Sequence, residues 1–85
     1  MSKISQIKVI QIAHRDGVGC LYCNSKIINV LTIDHIVPRD RGGSNNIKNL
    51  AFACKQCNSV KSNMLLTEFI KKYDVEITQK IAKFL

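Results

Sequence analysis

The sequence predicts a small α+β domain, and three observations support this. The chain has 85 residues, which leaves room for one domain. A stretch rich in β-branched residues is followed by a turn-rich loop and then by a segment without Gly or Pro. The chain also carries four cysteines. Because a hydrophobic core of this size supplies only about 3–5 kcal/mol of folding free energy, a disulfide bond or a structural metal ion is expected to add stability.

The cysteines form a doubled motif with three candidate explanations. They make two C-x-x-C pairs, formed by Cys20, Cys23, Cys54 and Cys57. A disulfide framework would suit a secreted protein, but Lys3 and Lys8 interrupt the apolar N-terminal residues, so we expect an intracellular, cytoplasmic protein instead. A redox motif needs only one pair. A structural Zn²⁺ site with four thiolate ligands is therefore favoured.

Helical spacing is visible at both ends of the chain. Ile4, Ile7 and Gln11 predict a helix over residues 3–14, with an Asp-Gly pair at 16–17 as its stop signal. Two further helices are expected near the C-terminus, with Thr67 and Asp74 as N-caps. Their apolar positions are Leu66, Phe69, Ile70 and Tyr73 in the first helix, and Ile77, Ile81 and Leu85 in the second.

The central segment predicts the β part of the domain. Residues 26–34 are rich in β-branched side chains with Asn29 near their centre, which predicts two short strands joined by a tight turn and ended by His35. Residues 37–46 are dense in turn formers and predict a loop. The part beyond Cys54 can be helical. The predicted order is therefore strand, strand, loop, helix.

Positive charge is concentrated in the same central segment. The chain has 13 Lys and Arg against 6 Asp and Glu, and residues 35–61 contribute +4 of the net charge of +7. A basic segment between the two cysteine pairs of a metal site is held near that site. Its positive charges should therefore lie on one face of the domain, where a polyanion could bind. A solvated basic surface is the open alternative. The candidate phosphate contacts are Arg39, Arg41, Lys48, Lys55 and Lys61.

A series of short motifs runs through this segment in a fixed order. The motifs are the first cysteine pair, Asp34-His35, Gly42-Gly43, Asn49-Leu50 and the second cysteine pair, which ends in Cys57-Asn58. This order closely resembles the HNH endonuclease family, over residues 18–63. The resemblance implies a ββα-metal (His-Me finger) core with a structural four-cysteine zinc knuckle and flanking helices. Residues 1–85 would then form a single nuclease domain, with an N-terminal helix in 1–16 and packing helices in 64–85.

The resemblance also assigns catalytic roles to residues of this chain. His35 would take a proton from water, while Asp34 and Asn58 would hold one catalytic Mg²⁺ or Mn²⁺, ions that prefer oxygen ligands. Asn58 stands where some family members have histidine. Asn49 would orient the ring of His35 by hydrogen bonding, although it could instead be a helix or turn cap.

Two classes of function remain open at this point. The favoured one is a metal-dependent endonuclease that nicks or cleaves DNA. The alternative is a non-catalytic zinc-ribbon module that binds nucleic acid or a protein. We expect no membrane partner, because no apolar span is long enough. The protein would be a monomer or homodimer of bacterial or phage origin, with a phage packaging or mobile-element protein as a candidate partner.

Overall fold

Two antiparallel strands form the sheet of the computed structural model, which describes residues 4–85. The first strand, β1, is Leu31–His35, and the second, β2, is Leu50–Cys54. Leu31 pairs with Cys54 at one end, and His35 pairs with Leu50 at the other. The pairing therefore places the second cysteine motif and the candidate catalytic histidine at opposite ends of the sheet.

Of the two strands predicted within residues 26–34, the second is confirmed, because β1 ends at His35, and the first is wrong. Ile28–Val30 forms a helical turn, and residues Ile27 and Ile28 are 63% and 72% exposed. The partner of β1 is β2, which follows the long loop and is buried at every position. A strand buried on both faces offers no polar alternation to detect. The order is strand, loop, strand, helix, and the α+β class is confirmed.

The first two helices lie close to their predicted positions. Helix α1 is Gln6–Asp16, with the hydroxyl of Ser5 accepting a hydrogen bond from the Lys8 N–H at 3.2 Å. It ends at Gly17, where φ is 76°, a conformation that favours glycine. The predicted helix start at residue 3 lies outside the described residues. Helix α2 is Lys55–Lys61 and follows β2 directly.

The two C-terminal helices form with different caps from those predicted. Helix α3 is Leu66–Tyr73 and α4 is Gln79–Ala82. Thr67 lies inside α3 instead of capping it, because the chain turns at Leu65, whose N–H donates to Glu68 Oε1 at 2.8 Å. Asp74 ends α3 in a left-handed conformation, and α4 is capped by the hydroxyl of Thr78. Both N-cap assignments are therefore wrong.

Strand β2 lies at the centre of the hydrophobic core. Its alternate residues face opposite sides, so Leu50 and Phe52 pack with Ile12 of α1, while Ala51 lies in a second cluster and Ala53 packs with Cys20 and Cys54 in a third. That second cluster contains Leu21, Ile36, Leu66 and Ile81. Both faces of the strand are thus covered, one by α1 and one by the C-terminal helices. Within residues 4–85, every helix is too short or too polar to cross a membrane.

Candidate active site

The four cysteines predicted to bind zinc come together in space. The sulfur atoms of Cys20, Cys23, Cys54 and Cys57 all lie within 4.8 Å of one another. Cys23 Sγ and Cys54 Sγ are 3.7 Å apart. Four sulfurs bound tetrahedrally to Zn²⁺ at about 2.3 Å would lie about 3.8 Å from each other. The cluster therefore has the dimensions of a possible zinc site.

The electrostatics of this cluster favour a bound cation. Burial raises the pKa of the Cys57 thiol, and the neighbouring sulfurs raise it further. Burial also opposes ionisation of Cys54, but hydrogen bonds from Cys57 and the other thiols outweigh it and lower the pKa to about 7. Without a cation, the cluster therefore accommodates one thiolate more readily than four. A divalent ion would supply the charge needed to deprotonate the rest.

Asp34 is a buried carboxylate with two protein partners. Its side chain is 4% exposed, and its oxygen Oδ2 accepts a hydrogen bond from the hydroxyl of Tyr22 and lies 3.4 Å from Lys61 Nζ. Burial raises the pKa of Asp34, while the Lys61 ammonium and the Tyr22 hydroxyl oppose that shift. Burial and the Asp34 charge raise the pKa of Tyr22, so its hydroxyl remains a donor. Tyr22 thus links the first cysteine pair to Asp34.

Lys61 was predicted to contact phosphates, and this prediction is wrong. The residue is 0% exposed, because it lies on the face of α2 that packs against the sheet. Its Nζ donates to the backbone carbonyls of His35 and Ile36, at 3.1 Å each, and pairs with Asp34. Lys61 therefore holds the end of β1 in place and provides the charge that the buried carboxylate needs.

His35 lies half-buried at the end of β1, beside a cavity of about 220 Å³. Asp34 and Asn58 line the same cavity, together with Arg39. The Nε2 atom of His35 lies 2.7 Å from Asn45 Oδ1. The structure therefore brings together three of the four predicted catalytic residues around one space.

Asn58 lies on α2 and faces the strand that carries Asp34. Its Nδ2 donates to Thr32 Oγ1 at 2.8 Å and is 3.5 Å from the carbonyl oxygen of Ile33. Both contacts use the amide nitrogen, so among residues 4–85 the amide oxygen is the atom that could bind a ligand. The second predicted ligand to a catalytic ion therefore presents the expected kind of atom beside Asp34.

Asn49 does not make the predicted hydrogen bond to the ring of His35. Its Oδ1 accepts from the Val37 N–H at 2.8 Å, and its Nδ2 donates to the carbonyls of Val37 and Ser44 at 3.1 and 2.9 Å. The residue thus ties together the two sides of the loop between the strands. Asn45 contacts the ring instead. This role of Asn45 was not predicted, because Asn45 stands in a run of turn formers that indicates only a loop.

The remaining basic residues differ in their availability to a polyanion. Arg39 borders the cavity, and Lys48 and Lys55 are exposed. Arg41 pairs with Glu68 at 2.6 Å, so a phosphate would compete with a carboxylate for it. Three of the five predicted phosphate contacts, Arg39, Lys48 and Lys55, therefore lie at the surface.

This arrangement defines a class of protein. Strand, loop, strand and helix place a histidine, a carboxylate and an asparagine around one cavity, and a four-cysteine cluster with the dimensions of a metal site joins the segments that flank them. These are the features of a metal-binding domain of the ββα type. The family model for HNH endonuclease matches residues 20–64, which is just over half of the chain. The chain belongs to the HNH endonuclease family.

Two similar proteins are both named CRISPR-associated endonuclease Cas9. The protein from Actinomyces naeslundii is 47% identical over 49 residues, which cover 55% of this chain and 4% of that protein. The protein from Corynebacterium diphtheriae is 37% identical over 68 residues, which cover 78% of this chain and 6% of that protein. The chain therefore spans only a small part of the length of either relative.

Proposed function

We propose that this domain is a metal-dependent endonuclease that hydrolyses phosphodiester bonds in DNA. The observation that carries the proposal is the shared cavity of about 220 Å³, where His35, Asp34 and Asn58 meet beside Arg39. Phosphodiester hydrolysis needs a base for the attacking water, neutralisation of the phosphate oxygens and stabilisation of the leaving oxygen. The residues around the cavity match these three needs.

The donor atoms at the cavity fit a small divalent cation such as Mg²⁺ or Mn²⁺. A carboxylate has about four acceptor positions, so the two partners of Asp34 leave capacity for an ion, and Asn58 adds a neutral oxygen. When bound there, the ion would neutralise charge on the phosphate and on the leaving oxygen. We assign Zn²⁺ to the four-cysteine site, where thiolate ligands favour it for a structural role.

Residues of the chain itself would perform the remaining steps. His35 in its neutral form would accept a proton from the attacking water. Arg39 would neutralise one phosphate oxygen at the rim of the cavity, and the exposed Lys48 and Lys55 would contact phosphates farther along the strand. Because these contacts depend on charge, binding should weaken steeply as salt is raised.

The test is a plasmid-nicking assay with the zinc-loaded protein, with and without Mg²⁺ or Mn²⁺. We expect nicking that requires the added ion and falls by at least about 100-fold in His35→Ala. The matched control is His14→Ala, which removes an exposed histidine from α1 and should leave the rate unchanged. A His35→Ala protein that nicks as fast as wild type would contradict the base assignment.

The same assay separates the nuclease from the binding module. If no ion supports nicking while salt-sensitive DNA binding is retained, the domain acts as a non-catalytic zinc-ribbon module. If RNA is cut and DNA is not, the proposed DNA substrate is wrong, but the proposed hydrolysis of phosphodiester bonds is supported. Circular dichroism spectra verify that each variant is folded, so that a loss of nicking is not caused by unfolding.

A further inference from the structure

The ring of His35 has a partner in the loop between the strands. Asn45 Oδ1 lies 2.7 Å from His35 Nε2 and 3.0 Å from Arg39 Nη1. The three side chains thus meet at one atom, immediately beside the cavity that His35 and Arg39 line. This contact determines which ring nitrogen carries the proton.

The chemistry of arginine identifies the shared atom. A guanidinium group donates hydrogen bonds and accepts none, so the asparagine atom facing Arg39 must be the amide oxygen and not the nitrogen. An amide oxygen only accepts. The ring nitrogen at 2.7 Å from it must therefore donate, which places a hydrogen on Nε2 of His35. In the neutral ring, the lone pair is then on Nδ1.

Several contacts fix Asn45 in this position. Its backbone carbonyl accepts a hydrogen bond from Lys8 Nζ on α1 at 2.6 Å. The preceding carbonyl, that of Ser44, accepts from Asn49 Nδ2 at 2.9 Å. Asn49 is in turn bonded to Val37 on the other side of the loop. The loop is therefore held on both sides of Asn45, which makes its amide a defined support for the ring.

We propose that Asn45 is the positioning residue of His35, holding the ring with its proton on Nε2 so that Nδ1 is the atom that accepts a proton from water. The last step rests on the proposed nuclease function, whereas the position of the ring proton does not. Asn49 acts one step farther away, by holding the loop that presents Asn45.

The ring proton can be located without any assay of activity. In a protein labelled with ¹⁵N-histidine, at a pH where the ring is neutral, the nitrogen shifts of His35 should show Nε2 protonated and Nδ1 bare. Asn45→Asp keeps an acceptor oxygen and should preserve this tautomer. Asn45→Leu removes the acceptor at similar size and should give a mixture of tautomers. A proton found on Nδ1 in the wild-type protein would overturn the proposal.

Nicking rates provide the second measurement. We expect Asn45→Leu to lose roughly 10- to 100-fold, as is typical when a group that orients a reactive residue is removed, and Asn45→Asp to recover most of the rate. The matched control is Asn46→Leu, which removes the neighbouring amide that caps the turn Ile47–Asn49 and should leave the His35 tautomer unchanged. An Asn45→Leu protein with the wild-type tautomer and rate would refute the positioning role.

The two measurements separate this proposal from the nuclease proposal. If wild-type protein does not nick DNA under any ion, the nuclease proposal fails, but the nitrogen spectra still accept or reject the role of Asn45 in fixing the tautomer. If wild-type protein nicks and the spectra show a bare Nε2, the nuclease stands and the positioning role falls.

Discussion

The ammonium of Lys61 lies 3.4 Å from the carboxylate of Asp34, and the two side chains are 0% and 4% exposed. The same ammonium donates to the carbonyl of His35. One lysine on α2 therefore supports both residues of the Asp-His pair, through charge for the first and through the backbone for the second. The pair cannot shift along β1 without breaking one of these contacts.

Replacing Lys61 with methionine should destabilise the fold by about 3–5 kcal/mol, because it leaves Asp34 as a buried charge without a cationic partner. Urea denaturation at neutral pH measures this loss. The control is Lys55→Met, which removes an exposed lysine from the same helix and should change stability by less than about 0.5 kcal/mol. Equal denaturation midpoints for the two variants would show that the buried pair contributes little.

Tyr22→Phe should reduce stability by about 1.5–3 kcal/mol, because the variant loses a hydrogen bond to a charged group while retaining the ring. The ring packs edge-to-face on Phe69, with centroids 5.0 Å apart, and phenylalanine can preserve that contact. Thermal or urea unfolding is the measurement. Tyr73→Phe is the matched control, because Tyr73 also contacts Phe69 but is 47% exposed. A smaller effect at Tyr22 than at Tyr73 would contradict the argument.

The features that depend on short sequence spacing could be predicted. The two C-x-x-C pairs predicted the four-cysteine cluster, and the resemblance to the family placed His35, Asp34 and Asn58 together. Their shared cavity agrees with that expectation, while their roles stay predictions. The helix after Cys54 was also expected, and α2 begins at Lys55. The cysteine pairs and the start of α2 depend on neighbours in the chain, whereas only the resemblance predicted that Asn58 would lie beside Asp34.

The features that depend on tertiary packing could not be predicted. β2 lacks β-branched residues, and only its pairing with β1 across the loop makes it a strand. Lysine is normally exposed, so the burial of Lys61 follows only from the contact between α2 and the strand end. The contact from Asn45 to His35 spans ten positions through an irregular loop.

Gly43→Ala should damage the loop more than Gly42→Ala does. At Gly43 a methyl group would collide with the Val37 carbonyl and lie 2.9 Å from the Pro38 oxygen, and both are backbone groups that cannot turn aside. At Gly42, where φ is 90°, a methyl group meets no atom within 4 Å, so the cost is limited to about 1–2 kcal/mol of backbone strain. Urea denaturation of both variants gives the comparison. Equal losses of stability in the two variants would show that the loop backbone shifts to accommodate the methyl group at Gly43.

Removing the metal from the four-cysteine site should unfold the domain. A small core gains folding free energy directly from a structural metal, so a strong chelator should abolish the cooperative thermal transition, and added Zn²⁺ should restore it. Circular dichroism during a thermal scan provides the measurement. Cys54→Ser serves as the internal comparison, because it removes one of the clustered sulfurs and the chelator should then have little further effect. An unchanged transition in chelated wild-type protein would rule out a stabilising metal.

Asp16 should make the stability of the domain depend on acid pH. Its carboxylate pairs with Arg15 of the same helix, at 2.6 Å, and joins the end of α1 to the C-terminal segment through Lys83. Burial alone would raise its pKa, but the hydrogen bonds and charges of the two basic partners outweigh burial and lower the pKa below its ordinary 3.8. The unfolded chain therefore binds this proton more readily than the folded one. The resulting stabilisation is present above the ordinary pKa and is lost as the pH falls through and below it.

Asp16→Asn should therefore lower the free energy of unfolding most between about pH 5 and pH 7, and the difference from wild type should shrink towards about pH 3. Comparing two proteins at each pH cancels the effects of acid that both share, including protonation of the cysteines. Asp40→Asn changes the charge by the same amount at an exposed loop position and serves as the control. A difference between wild type and Asp16→Asn that stays constant across this range would show that the contacts of Asp16 do not depend on its charge, and the link between α1 and the C-terminal segment would then rest on packing alone.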